Sequence, residues 1–169
     1  MEIIGDFKTS VHRALSEIDP AYESYPRIVI CGTHAPKLDE LETLLTIIKN
    51  AREQGVPLLG ICYGHQLCAI EYARNMLGIK DATSEELEDE GTFVVRKRPE
   101  LNVGEREGES YWNNYEVNLP EWEKPDTMIT TQFHPEYQSS IDAPHPVLVS
   151  FLNLCKSKYG IAYGTCIFM

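Results

Sequence analysis

The feature that most constrains the fold is a pair of apolar runs separated by a segment with helical periodicity. The runs are "RIVIC" (27–31) and "VPLLGIC" (56–62), and both are nearly continuous in apolar residues. Strands of this kind are buried on both faces, as in a parallel sheet that helices cover. The segment between them, "KLDELETLLTIIKNAREQG" (37–55), is amphipathic and ends at a glycine, as a crossover helix does. Together the three segments predict a β-α-β unit.

The remaining segments extend this alternation in both directions. Further strands are predicted at "EIIGDF" (2–7) and "TMITTQF" (127–133), and further helices at "TSVHRALSEI" (9–18), "HQLCAIEYARNMLG" (65–78) and "HPVLVSFLNLCKSK" (145–158). Two other segments, "GTFVVRKR" and "SYWNNYEVNL", alternate apolar and polar residues, which indicates antiparallel edge strands. We therefore expect an α/β fold with a doubly wound, mostly parallel sheet, helices on both faces and antiparallel edge strands. The tail "YGIAYGTCIFM" (159–169) has no clear assignment.

Charge and cysteine content argue against several classes of function. The formal net charge of −11 disfavours nucleic acid, whose phosphates would repel it. No apolar run approaches the ~20 residues that cross a bilayer, and the N-terminus lacks a secretory signal pattern. The five cysteines include no CxxC pair, which fits reduced thiols better than disulfides or a zinc site. We expect a single cytoplasmic domain, 1–169, with no metal, membrane or nucleic acid.

The cysteine at the end of the second apolar run is the first candidate for chemistry. In "GICYGHQ", Cys62 lies between a buried strand and a helix, and Gly60 and Gly64 flank it. A sharp strand-to-helix turn with small neighbours is the geometry of a nucleophile elbow. The positive end of the helix dipole would lower the thiol pKa, and free backbone N–H groups could hold an oxyanion. The alternative is a buried structural cysteine in a tight turn.

A histidine and a carboxylate follow the last predicted strand, in "TTQFHPEY". His134 and Glu136 are separated by Pro135 alone. In an extended segment their side chains would share a face, so that Glu136 could orient the His134 ring as in a catalytic triad. The alternative is a solvated loop. Because a thiol nucleophile needs a base, and ligands bind beyond the carboxyl ends of parallel strands, we expect these two side chains to serve Cys62.

These motifs together resemble the class I, triad-type glutamine amidotransferases. Other segments are similar to the glutaminase domain of CTP synthase in particular: "IGDF" with "SVHRAL", "IEYARNMLGIKDATSEE", "YEVN" and "QFHPEYQSSIDAPHPVLVSFL". The resemblance covers nearly the whole chain, except the segment near 19–30 and about the last ten residues. It implies a flavodoxin-like α/β domain that hydrolyses the glutamine side-chain amide through a γ-glutamyl thioester, with no metal or cofactor. Cys62 would be the nucleophile, His134 the general acid and base, and Glu136 its orienting carboxylate.

The resemblance also implies a set of residues around the substrate. Their positions in this sequence are Gly32, Thr33, Tyr63, Gln66, Glu86 and Asn114. Among them, the Tyr63 backbone N–H would be one oxyanion donor. Gln66 and Glu86 would help to hold the amino-acid end of glutamine.

Three departures from the family pattern bear on the substrate. The family's Gly-Gly-Phe-Gly loop, which supplies the second oxyanion donor, is "CGTH" here (31–34), so that only Gly32 is kept. Asn114 stands at the position of an arginine that contacts the substrate carboxylate, which weakens a charged contact to a neutral one. No synthetase domain or phosphate-binding glycine-rich loop is found in the sequence.

These departures leave three functions open. The first is hydrolysis of glutamine, with ammonia passed to a separate synthetase. The second is a standalone cysteine hydrolase of the same fold that acts on another amide or γ-glutamyl compound. The third is a catalytically idle homologue used for binding. An intact Cys62, His134 and Glu136 set speaks against the third, and the altered pocket residues favour the second more than the triad alone would.

Overall fold

The computed structural model describes residues 3–159. In this part of the chain the strands are β1 (Ile3–Ile4), β2 (Ile28–Ile30), β3 (Leu58–Ile61), β4 (Ala82–Ser84), β5 (Thr92–Lys97), β6 (Gly104–Arg106), β7 (Glu109–Tyr111), β8 (Tyr115–Val117) and β9 (Met128–Thr131). The helices are α1 (Lys8–Ile18), α2 (Leu38–Gln54), α3 (Tyr63–Asn75) and α4 (Pro146–Lys158), and short 3-10 helices span Tyr22–Ser24 and Pro135–Tyr137. Residues 160–169 of the unassigned tail lie outside the described residues.

The central sheet consists of parallel strands in the order β1-β2-β3-β9. Its two faces are covered by different helices, since α1 and α4 contribute to one apolar cluster and α2 and α3 to the other. Alternate residues of β3 point into the two clusters, Leu59 and Ile61 into the first and Leu58 into the second. A strand that faces two cores has no polar side, which explains the continuous apolar run in the sequence. The expected doubly wound α/β fold is confirmed.

The antiparallel strands form small sheets of their own and are not edges of the central sheet. Strand β5 pairs in parallel with β4 and antiparallel with β8, while β6 and β7 form a separate hairpin. In β5, Val94 and Val95 are buried in the same cluster as α2 and α3, whereas Arg96 and Lys97 are exposed. Consecutive residues of a regular strand point to opposite faces, and both valines are buried here where the register of β5 against β4 shifts between Thr83 and Ser84 and skips Val94. Strand β4, in the segment that leads to Glu86, was not predicted.

The parallel register brings several strand ends to one edge. Ile30, Gly60 and Thr130 lie side by side across β2, β3 and β9. The segments that follow these strands, together with the turn after β1, therefore meet at the carboxyl edge of the sheet, where ligands bind in open α/β folds.

Within residues 3–159, no helix has the combination of length and apolar character that crossing a membrane requires.

Candidate active site

Cys62 occupies a strained turn between β3 and α3. Its backbone has φ 55° and ψ −103°, a conformation that a residue with a side chain rarely adopts. The turn is held because the Cys62 N–H donates to the Thr131 carbonyl oxygen at 2.8 Å. A Cβ on Gly64 would lie 2.0 Å from the Ile30 carbonyl oxygen, so the first turn of α3 passes β2 at a distance that only glycine permits. These features define the predicted nucleophile elbow.

The pair of His134 and Glu136 lies directly beyond β9. The His134 Nδ1 atom is 2.7 Å from Glu136 Oε1, and both side chains are fully buried. The short 3-10 helix Pro135–Tyr137 brings them together, and not the extended backbone that the sequence suggested. Arg13 fixes this turn by donating to the Glu136 carbonyl oxygen at 2.8 Å. His134 Nε2 is buried and makes no hydrogen bond to any residue of 3–159, so it is the ring nitrogen that could take part in proton transfer.

Both parts of the predicted triad open into one small cavity of about 130 Å³. Its lining consists of Phe7, Thr33, His34, Cys62, Glu86, Trp112, Asn113 and His134. Gly32 backs this site, because a Cβ there would lie 2.8 Å from His134 Cε1 and 2.9 Å from the Phe7 ring. Thr33 is held by Asp6, whose carboxylate accepts from the Thr33 hydroxyl at 2.7 Å. The structure therefore places Cys62, His134 and the altered loop around one space.

The amide donors to the Cys62 sulfur come from residues that the sequence did not single out. Asn113 Nδ2 donates to the sulfur at 3.4 Å and Gln132 Nε2 at 3.7 Å. Gln132 also donates to Asn113 Oδ1 at 3.3 Å, so the two amides support each other. The expected role of Asn114 stays a prediction: Asn113 lines the cavity, and the Asn114 carbonyl oxygen accepts from the Arg98 N–H at 2.7 Å. The bend before β8 turns the first asparagine of the pair inward.

The thiol pKa is shifted in the direction opposite to the one expected from the helix dipole. Burial raises the pKa of Cys62 to about 12, and the Glu86 and Glu136 carboxylates raise it further, whereas the Tyr63 N–H and Asn113 lower it. Desolvation disfavours a thiolate more than one helix end favours it. At neutral pH, Cys62 is therefore a neutral thiol. The Tyr63 N–H nevertheless hydrogen-bonds the sulfur and opposes this rise.

Gln66 and Glu86 lie close together, and Glu86 lines the cavity. Gln66 is fully buried in α3, and Ser84 donates to its Oε1 at 3.4 Å. Gln66 Nε2 and Glu86 Oε2 are buried and make no hydrogen bond of normal geometry. Burial raises the pKa of Glu86, and the nearby Gln66 amide acts in the opposite direction. The site therefore keeps a desolvated carboxylate beside the nucleophile.

Aromatic side chains form the mouth of the cavity. The Phe7 ring lies 4.9 Å from His134 and 5.0 Å from Trp112, which stacks on Tyr137 at 5.4 Å between ring centroids. Half of the Trp112 surface is exposed. Phe7 was missed in the sequence, although its position just after β1 places it at the same sheet edge. His65, in contrast, takes no part in the cavity, because it bonds Thr130 and burial lowers its pKa to about 3.

Comparison with known proteins agrees with this geometry. The family model of the class-I glutamine amidotransferases matches residues 6–121, a range that contains Cys62 and ends before His134. The chain therefore belongs to the class-I glutamine amidotransferase family.

Two similar proteins with curated names are CTP synthases. The CTP synthase of Methanoculleus marisnigri is 32% identical over 169 residues, which cover 70% of this chain and 32% of that protein. That of Thermomicrobium roseum is 28% identical over 194 residues, covering 83% of this chain and 35% of that protein. The chain thus spans about a third of the length of these relatives.

One solved structure shares the fold over almost the whole chain. The glutaminase domain of Trypanosoma brucei CTPS, solved with bound acivicin, superimposes with a TM-score of 0.69. The match covers 93% of this chain and 94% of that domain at 20% sequence identity. At this identity the likeness establishes the fold, and the chemistry has to be argued from the site.

Proposed function

We propose that this chain hydrolyses the side-chain amide of glutamine to glutamate and ammonia, through a thioester on Cys62. The observation that carries the proposal is the strained elbow of Cys62 opening into the same cavity as the buried His134–Glu136 pair. Backbone strain at a nucleophile is retained where the surroundings impose it, and it clusters at active sites. The fold alone would not carry this conclusion, because one fold hosts many functions.

The first half of the reaction forms the thioester. The Cys62 sulfur attacks the amide carbon while its proton moves to His134 Nε2, whose other nitrogen is held by Glu136. The carbonyl oxygen becomes an oxyanion beside the Tyr63 N–H. The tetrahedral intermediate then collapses, the C–N bond breaks, and His134 returns the proton so that ammonia leaves.

The second half of the reaction hydrolyses the thioester and releases glutamate. A water molecule gives a proton to His134 and attacks the thioester carbon, the C–S bond breaks, and the sulfur recovers the proton. A neutral resting thiol fits this sequence, since proton transfer to His134 and attack on the substrate can be concerted. Exclusion of water by the aromatic mouth would protect the thioester from premature side reactions.

The proposal for the ammonia acceptor rests on the length of the relatives. The relatives named CTP synthase are about three times as long as the matched region, which suggests that a synthetase consumes the ammonia. We propose that this activity is supplied by a separate partner. A cytoplasmic setting is proposed because the cysteines described are all free thiols.

The competing function is a catalytically idle binding homologue. The observation in its favour is the high pKa of Cys62, which leaves little thiolate at neutral pH. Such a homologue would bind the amide at the same cavity without acylating the sulfur. The two functions differ in whether a covalent adduct forms.

Intact mass after incubation with a diazo-ketone analogue of glutamine separates the two functions. Under the proposed function one adduct forms, maps to Cys62 and is absent from Cys62→Ala. The matched control is Cys68→Ala, which removes a fully buried thiol of α3 that does not line the cavity. Acivicin, the compound bound in the Trypanosoma brucei domain, is a second probe. Absence of both adducts and of ammonia release from glutamine would refute the proposed function.

A further inference from the structure

The cavity offers a counter-charge of one sign only. Among residues 3–159, its lining contains the carboxylate of Glu86 but neither lysine nor arginine. Two histidine rings, His34 and His134, also line the cavity, and the His134 ring is hydrogen-bonded to Glu136. An α-amino acid presents both an ammonium and a carboxylate, and a buried charge is stabilised when an opposite charge meets it. The described lining supplies such a partner for the ammonium alone.

The Glu86 carboxylate is the natural partner for a ligand cation. Its Oε2 atom is inaccessible to solvent and makes no hydrogen bond within the described part of the chain. A desolvated carboxylate is destabilised, and burial raises the pKa of Glu86 although the Gln66 amide acts in the opposite direction. An ammonium placed against it would form a charge-assisted hydrogen bond in a site that water hardly reaches. The exposed Trp112 face at the mouth adds a second attraction for a cation.

One guanidinium from the segment before Trp112 and Asn113, that of Arg106, is held outside the cavity. Arg106 stacks on Tyr111, with its guanidinium carbon 3.6 Å from the ring centroid. It lines a neighbouring cavity of about 380 Å³ and contacts the carbonyl oxygen of Asn113 at 3.5 Å. The Asn113 side chain itself points at the Cys62 sulfur. The Arg106 guanidinium is therefore not placed to bind a substrate carboxylate inside the cavity.

We infer that the site selects primary amides that carry an ammonium group at the far end of the substrate, and that it does not recognise an α-carboxylate. This inference rests on the proposed function, because it concerns the substrate of the same Cys62 site. Glutamine is one member of the class, but 4-aminobutanamide, which has the same amide and ammonium without the carboxylate, carries everything that the site recognises. Glutaramate, which has the carboxylate and no ammonium, does not.

The test compares these three primary amides by ammonia release at about pH 8, where ordinary histidine side chains are neutral. We expect kcat/KM for 4-aminobutanamide to equal or exceed that for glutamine, and to exceed that for glutaramate by about tenfold or more. Glu86→Gln removes the charge at constant shape and should abolish the preference for 4-aminobutanamide over glutaramate. The matched control is Glu90→Gln, because Glu90 is an exposed residue of the same segment. A kcat/KM for glutamine at least tenfold above that for 4-aminobutanamide would overturn the inference.

Binding to the Cys62→Ala variant separates failure of this inference from failure of the proposed function. Titration calorimetry with the same three amides measures recognition without chemistry. If no amide is hydrolysed but 4-aminobutanamide binds Cys62→Ala at least tenfold more tightly than glutaramate, the selectivity stands and the hydrolase proposal fails. If hydrolysis occurs with no preference for the ammonium, or if the amides bind equally, the selectivity is refuted.

Discussion

The protonation state of the Cys62 thiol gives the sharpest prediction. Burial in the structure raises its pKa, whereas the helix dipole alone would lower it. Its pKa of about 12 lies three pH units above the ordinary thiol value of 9.0. At neutral pH the thiolate fraction is then about 10³-fold smaller than for a free thiol. A more basic thiolate is also more nucleophilic, with a Brønsted coefficient of ~0.4–0.5, which recovers about 20- to 30-fold. Alkylation of Cys62 by iodoacetamide should therefore be about 50-fold slower than that of a small free thiol.

The assay is a pH series of alkylation rates, read from the Cys62 peptide by mass spectrometry. Only 4% of the Cys62 surface is exposed, so steric hindrance will also slow the reaction. The two causes differ in their pH dependence. A raised pKa makes the rate climb tenfold per pH unit from about pH 7 to beyond 10, whereas hindrance alone gives a plateau near the ordinary thiol value. A rate that levels off by about pH 10, or fast alkylation at pH 7, would refute the reasoning.

Three further changes have expected outcomes of their own. Glu86→Gln removes the second largest cause of the raised Cys62 pKa, so alkylation of Cys62 at about pH 9 should become about threefold faster. Gly64→Ala places a Cβ 2.0 Å from the Ile30 carbonyl oxygen, and urea unfolding should show a loss of about 3 kcal/mol or more. Glu136→Gln leaves a hydrogen-bonding group beside the histidine but removes the charge that stabilises the imidazolium, and kcat should fall by about 10²- to 10⁴-fold.

Each of these changes has a control and a contradicting result. Glu90→Gln should leave the alkylation rate of Cys62 unchanged, and an equal effect of both glutamates would show that the charge acts nonspecifically. Gly78→Ala introduces strain at φ 73° with nothing within 4 Å, so it should cost only about 1 kcal/mol. Equal losses at Gly78 and Gly64 would contradict the close approach of α3 to β2. For Glu136→Gln, activity within threefold of the unaltered chain would exclude an orienting role.

The sequence was sufficient for the parallel core and the elbow, because both follow from short-range patterns. Continuous apolar runs identify strands buried on two faces, and glycines at 60 and 64 mark a turn with close backbone contact. His134 and Glu136 were also paired correctly, since only one residue separates them. The geometry that joins them was different, because Pro135 begins a 3-10 turn and the extended backbone does not continue.

The remaining features depend on tertiary context that local patterns do not contain. Asn113 and Asn114 are identical in type, and only the bend before β8 decides which one lines the cavity. Phe7 joins the site because β1 ends at the same edge as β3, a relation between distant segments. The sign of the Cys62 pKa shift depends on how deeply the surrounding loops bury the sulfur, and burial is a property of the assembled domain.

The most direct test of the central claim is to trap the acyl-enzyme. Rapid mixing with glutamine, followed by acid quenching and intact-mass analysis, would preserve a thioester formed within a single turnover. We predict a mass increase equal to glutamine minus ammonia, located on Cys62, that appears together with one equivalent of ammonia and is lost in Cys62→Ala. Release of ammonia without this adduct, or with the same yield from Cys62→Ala, would contradict nucleophilic catalysis by Cys62.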